Sequence, residues 1–230
     1  MSRTETAIIV GVGPGLGASL GRIFSRAGMR VALAARTPAR LETLAAEMGH
    51  AVSLHACDAT DETSVKALFA AVPEPDIVVF NASGRVRASV VDIETEQFEQ
   101  AWRQACLGGF IVGREAARAM LLRGSGSIFF TGATASVKGY AMSAGFAVGK
   151  FGLRALAQSM ARDYGPKGIH VAHFIIDGGI LGPHHAPHPD RPEDHLLGPD
   201  SIAETYLHVH RQHRSAWAHE LDLRPWVESF

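Results

Sequence analysis

Two textures of apolar residues alternate along this chain. Unbroken apolar runs stand at Ala7 to Val10, Met29 to Ala35, Ala51 to Ala56, Asp76 to Phe80, Ser127 to Thr131 and Ile169 to Ile176, and Ala216 to Leu223 fits a seventh. An unbroken run is what a strand covered on both faces requires. Between the runs, apolar residues recur at helical spacing: Leu20, Ile23, Phe24 and Ala27; Leu41, Leu44, Ala45 and Met48 behind Pro38; Val65, Leu68 and Phe69 behind Asp61-Glu62-Thr63. Glu94 to Leu122 and Ser143 to Tyr164 read as two long helices, the first broken near Leu107-Gly108-Gly109. This alternation specifies an α/β fold, a doubly wound parallel sheet of about seven strands with right-handed crossovers. No repeat or linker interrupts it, and 230 residues suit one domain, 1–230.

One segment departs from the rhythm. Gly178 to Asp200 is rich in proline, histidine and glycine, lacks periodicity, and follows the carboxyl end of the sixth run. Open α/β sheets bind ligands at that edge, and a long irregular segment inside a compact domain is usually functional. Residues 178–200 are therefore expected to form a substrate lid. His184, His185, His188 and His195 match no zinc spacing and have no evident carboxylate partner, so they read as solvated loop histidines, and no metal is expected.

Charge and composition narrow the partners. A net charge of -1 gives no attraction for nucleic acid or an anionic membrane. No apolar run is long enough to span a bilayer, and Met1 to Thr6 lacks a signal-peptide hydrophobic region. A soluble, cytoplasmic protein is expected, with Cys57 and Cys106 reduced rather than held in a disulfide or metal site.

The first candidate chemistry lies where the first run ends. Gly11-Val12-Gly13-Pro14-Gly15-Leu16-Gly17 leads directly into helical spacing. Glycines in such a turn allow positive backbone angles, close approach of amides to a pyrophosphate, and tight helix–strand contact, while the helix start offers unpaired N–H groups to the phosphate.

Taken with Asp58 after the third run, Asn81-Ala82-Ser83-Gly84 after the fourth and Lys150 in the helix after the fifth, this turn resembles the short-chain dehydrogenase/reductase family over nearly the whole chain. The resemblance implies a Rossmann-like sheet binding NAD(H) or NADP(H). By position, Gly11, Gly15, Leu16 and Gly17 would hold the pyrophosphate, Asp58 would contact the adenine, and Asn81 and Ala82 would flank the adenosine ribose. An acidic residue after the second strand would bind the ribose 2′-hydroxyl, but Ala34-Ala35-Arg36 stands there. Arg36 suits a 2′-phosphate, so NADP(H) is expected and NAD(H) less so.

The same resemblance implies a catalytic tyrosine four residues before Lys150, a serine near the end of the fifth strand, and an asparagine in the preceding helix. Here those positions hold Phe146, Ala133 and about Cys106, and a phenyl ring has no proton to give. Lys150 alone survives, with a role in holding the nicotinamide ribose. Substitute groups are Ser143, seven residues before Lys150 and so on its helical face, Tyr140 in the preceding loop, and Thr134 and Ser136 near the strand end. Two readings result: an NADP(H)-dependent oxidoreductase acting on a small carbonyl or alcohol through a non-standard proton donor, or a catalytically degenerate NADP(H)-binding sensor or oligomeric partner. A non-redox activity such as that of a lyase is a third, since fold does not fix chemistry. Apolar and small residues on several faces of the two long helices predict a homo-oligomer, a dimer or tetramer.

Overall fold

The computed structural model describes residues 3–49 and 51–228. Met1 and Ser2 of the amino-terminal segment, and the last two residues of the 1–230 span, lie outside them. Strands β1 (Thr6–Val10), β2 (Arg30–Ala35), β3 (Val52–Ala56), β4 (Ile77–Phe80), β5 (Gly126–Thr131), β6 (Ile169–Ile176) and β7 (Glu220–Leu223) form one sheet in the order β3-β2-β1-β4-β5-β6-β7. Every neighbouring pair is parallel. Helices α1 (Leu16–Arg26), α2 (Glu42–Met48) and α7 (Pro199–His210) cover one face; α3 (Glu62–Ala71), α5 (Gly108–Leu121) and α6 (Ala144–Tyr164) cover the other, with α4 (Thr95–Trp102) leading into α5.

Two-sided cover explains the unbroken runs. In β1, Ala7 and Ile9 point into the core with α1 and α7, whereas Ile8 and Val10 point into the core with α3 and α5. A polar residue at any of these positions would lose water without gaining a partner. Helix starts carry the expected signals: the Asp61 carboxylate accepts from the Thr63 amide at 2.8 Å, and Pro199 occupies the first turn of α7.

The structure corrects four boundaries. Pro38 opens a 3-10 turn (Pro38–Leu41), and α2 begins only at Glu42. The helix expected from Glu94 to Leu122 runs through a π-type turn at Arg103–Leu107, just before Gly108. The irregular segment ends at Gly198, and Asp200 belongs to α7, whose Ile202, Ala203, Tyr206 and Val209 are buried at helical spacing. The seventh strand is shorter than Ala216 to Leu223. Arg214–Ala216 is a 3-10 turn, the Ala218 amide donates to the Gln212 side chain at 2.8 Å, and Trp217 stacks on His170 at 4.6 Å, so ladder pairing waits until Glu220.

Between β1 and β4 the order of connection reverses, and it is at such a reversal that open α/β sheets bind ligands in a crevice beyond the carboxyl ends of the strands. The residues singled out from the sequence gather along that edge.

Candidate active site

The glycine turn sits at the reversal. Gly11 has φ +87°, and a Cβ there would lie 2.4 Å from the Ala82 backbone nitrogen. Gly17 meets the Val12 backbone in the same way, at 2.9 Å. These two glycines are needed for packing between β1, α1 and the segment after β4. Gly13 and Gly15 have nothing within 4 Å of a hypothetical Cβ, so the turn leaves open ground over them. No side chain caps α1, whose first amides face that ground. Asn81 ties the arrangement together: its Nδ2 donates to the Gly11 carbonyl at 3.1 Å and its backbone amide to Val10 at 2.8 Å. Asn81 thus braces the turn, and Ala82 is the atom group against which Gly11 packs.

On the far rim, Arg36 is exposed at the end of β2, with no ion pair among the described residues. Asp58 is held below the ordinary carboxylate range by the backbone amide and hydroxyl of Thr60, both at 2.8 Å, with smaller contributions from the charges of Arg36 and Arg103. Arg36 and Asp58 therefore share one rim.

At the other end of the crevice, Lys150 is 2% exposed and its Nζ donates to the Thr131 carbonyl at 2.7 Å. An ammonium has three donors, and this is its one hydrogen bond among the described residues. Burial, with a smaller contribution from the Arg85 charge, lowers its pKa to about 7. Phe146 lies one turn earlier, with its ring centroid 5.9 Å from Lys150 Nζ, and the Arg85 guanidinium covers the ring at 4.7 Å. Arg85 was not singled out from the sequence, although it directly follows Asn81-Ala82-Ser83-Gly84.

The substitute hydroxyls separate by their bonding. Ser143 Oγ donates to the Tyr140 carbonyl at 2.8 Å and accepts from the Tyr140 amide at 3.1 Å, closing the loop onto the start of α6. The Tyr140 ring is 44% exposed and lies 5.8 Å from Lys138 Nζ. Ser136 is fully buried, accepting from the Ala133 amide at 3.1 Å and sharing a hydrogen bond with His173 Nε2 at 3.3 Å. Burial, followed by the Lys150 charge, pushes His173 down to about 3, so its ring is neutral. Thr134 is partly buried, and its hydroxyl makes no hydrogen bond to the described residues. Cys106 lies in the π-type turn and packs against Gly152, where a Cβ would meet its sulfur at 2.7 Å; burial raises its thiol pKa and keeps it neutral.

Residues 178–198 follow the carboxyl end of β6 as an irregular arch with a stitched base. Ile180 and Leu197 form a bridge, and the Leu181 amide donates to Leu197 at 2.9 Å. The histidines of the arch bond locally, His195 Nδ1 to the Pro192 carbonyl at 2.9 Å and His188 Nδ1 to the Asp190 amide at 3.2 Å.

A strand reversal carrying a glycine turn, with open ground over an uncapped helix start, defines a doubly wound α/β protein of the dinucleotide-fold class. The family model for short chain dehydrogenases matches residues 5–185, and the chain belongs to that family of oxidoreductases. It is 37% identical to a short-chain dehydrogenase from Rhodopseudomonas palustris, whose crystal structure superposes with a TM-score of 0.86 over 98% of this chain and 100% of that one. Over 183 residues it is 30% identical to (+)-borneol dehydrogenase 1 of Salvia officinalis, covering 77% of this chain and 70% of that protein. Its fold also matches an alcohol dehydrogenase from the archaeon Thermococcus sibiricus complexed with 5-hydroxy-NADP, at 24% identity, with a TM-score of 0.84 and 99% of both chains covered.

Proposed function

We propose that this chain is an NADP(H)-dependent oxidoreductase that interconverts a small carbonyl compound and its alcohol, with a proton donor other than the family's tyrosine. The observation that carries the reading is Lys150: a buried ammonium with a single hydrogen-bond partner among the described residues has two N–H groups left for a ligand. In this reading Gly13, Gly15 and the start of α1 receive the pyrophosphate, Arg36 the 2′-phosphate, Asp58 the adenine, and Lys150 the nicotinamide ribose. Bound NADPH supplies a hydride to the carbonyl carbon. Thr134, whose hydroxyl makes no hydrogen bond to the described residues, orients the carbonyl oxygen. Lys150 supplies the proton, since a group titrating near neutrality is suited to general acid work. Ser143 and Tyr140 hold the loop before α6. The arch at 178–198 closes over the substrate, and the protein works as a homo-oligomer.

A second reading is favoured by Phe146: the chain binds NADP(H) without turnover, as a sensor or oligomeric partner. Titration separates the cofactor claim from the chemical one. Native protein should bind NADPH more tightly than NADH, and Arg36→Ala should reduce that preference by about tenfold or more. Equal affinity of the native protein for both cofactors would remove the NADP(H) assignment. NADPH binding without oxidation across a panel of aldehydes and ketones would favour the second reading.

A further inference from the structure

Arg85 follows Asn81-Ala82-Ser83-Gly84 and reaches over Phe146. Its guanidinium lies 4.7 Å from the Phe146 centroid, and the same ring lies 5.9 Å from Lys150 Nζ. Two cations thus flank the one side chain that replaces the family's proton donor. Arg85 is exposed and has no carboxylate partner among the described residues, unlike Arg154, which is paired bidentately with Glu220. Stacking on a phenyl ring contributes only about 0.5–1 kcal/mol at an exposed site, and it leaves the guanidinium edge, with its N–H fork, free. The two cations also repel: the charge of Arg85 contributes to the lowered pKa of Lys150. An arrangement that sets like charges around an apolar ring, with no carboxylate paired to either of them among the described residues, is completed by an anion arriving from outside.

We infer that Arg85 and the face of Phe146 form a subsite for the carboxylate of the substrate, making this chain selective for short oxo-carboxylates or the matching hydroxy acids. This rests on the reading of the crevice as an oxidoreductase substrate site. The guanidinium fork matches a carboxylate with two parallel hydrogen bonds. Because Arg85 lies directly over the ring beside Lys150, the carboxylate must stand within a few bonds of the reacting carbonyl. The anion is assigned to the substrate rather than the cofactor, because Arg85 lies over the Phe146 ring beside Lys150, whereas Arg36, the residue proposed for the 2′-phosphate, stands at the end of β2.

Calorimetric titration tests this without requiring turnover. Native protein saturated with NADP⁺ is titrated with benzoylformate and with its uncharged amide, alongside Arg85→Ala and Arg85→Lys. The carboxylate should bind the native protein about 10- to 100-fold more tightly than the amide. Arg85→Ala should abolish that difference while leaving amide affinity unchanged, and Arg85→Lys should keep part of it. Absence of benzoylformate binding, equal binding of acid and amide, or a difference that survives Arg85→Ala would overturn the inference. So would a tenfold or greater loss of NADPH affinity in Arg85→Ala, since that would place Arg85 on the cofactor. If NADP⁺ fails to bind, the proposed function falls, and the same acid–amide comparison on the cofactor-free protein still decides the anion subsite.

Discussion

Lys150, 2% exposed, donates its one hydrogen bond among the described residues to the carbonyl of Thr131, the last residue of β5, at 2.7 Å. The end of β5 and the long helix α6 are thereby locked together.

A pH-dependent stability follows. Burial lowers the Lys150 pKa from 10.5 to about 7. Between those values the unfolded chain holds a proton that the folded chain has released, so this residue makes stability rise with pH across that window. Below about 7 both states are protonated, and the cost of burying the charge is fully present. Lys150→Met removes that cost, so its denaturation midpoint relative to native protein should stand highest at pH 6 and lose ground by pH 9. A difference that stays flat with pH would show that Lys150 titrates as an ordinary lysine.

The glycines of the first turn should separate into two kinds. Gly11→Ala forces a Cβ against backbone atoms of Ala82 from a φ of +87°, so it should destabilise the fold by more than about 2 kcal/mol in chemical denaturation. Gly15 has φ -91° and no neighbour within 4 Å of a Cβ, so Gly15→Ala should change stability by less than about 0.5 kcal/mol. Its methyl group would occupy the ground that the proposed function gives to the pyrophosphate, so on that reading NADPH affinity should fall by about tenfold or more. Unchanged NADPH affinity in Gly15→Ala would remove the turn from the cofactor site.

The two long helices leave apolar side chains in water. Phe110 on α5 and Val148 and Phe151 on α6 are each more than two-fifths exposed, and small residues lie between them. A patch of this kind should be covered by a second copy. Sedimentation at micromolar concentration should show a dimer or tetramer, and Phe151→Glu should shift it toward monomer with its circular dichroism unchanged. A native monomer would contradict the assignment.

The legible parts of this protein were those fixed by local sequence and by burial on two faces. Strands such as Ile169–Ile176 announce themselves because every position is apolar or packed, and the glycine turn because few other residues fit it. The π-type turn at Arg103–Leu107 showed only as a break near Leu107-Gly108-Gly109, and its kind and its start were hidden, since one extra residue per turn barely alters an apolar pattern. Helix α7 did carry a pattern in Ile202, Ala203, Tyr206 and Val209, hidden behind the proline-rich arch. In the site, Lys150 and Asn81 were found by position, whereas Arg85 and His173 meet Phe146 and Ser136 only through tertiary contact. Ser143 and Tyr140 illustrate the converse: sequence places both near Lys150, while their hydrogen bonds to one another show a loop closure that no spacing rule reveals.

Phe146 divides the two functional readings. It is 8% exposed, lies one helical turn before Lys150, and its ring occupies the volume a tyrosine ring would take, so Phe146→Tyr adds one hydroxyl and should fold normally. That hydroxyl would stand near both Lys150 and Arg85, and positive charge on either side lowers a phenol's pKa. A positioned general acid is worth about 10²–10⁴ in rate. If Lys150 already supplies the proton, native protein should oxidise NADPH with some member of a carbonyl panel, and Phe146→Tyr should change that rate by less than about tenfold, a small part of a general acid's worth. Lys150→Met should then abolish turnover in the native background. If the chain is a degenerate binder, native protein should be inactive, and Phe146→Tyr should create measurable reduction. Should both proteins bind NADPH and neither oxidise it, the missing hydroxyl is not what separates this chain from its active relatives, and the oxidoreductase reading gives way to a binding role.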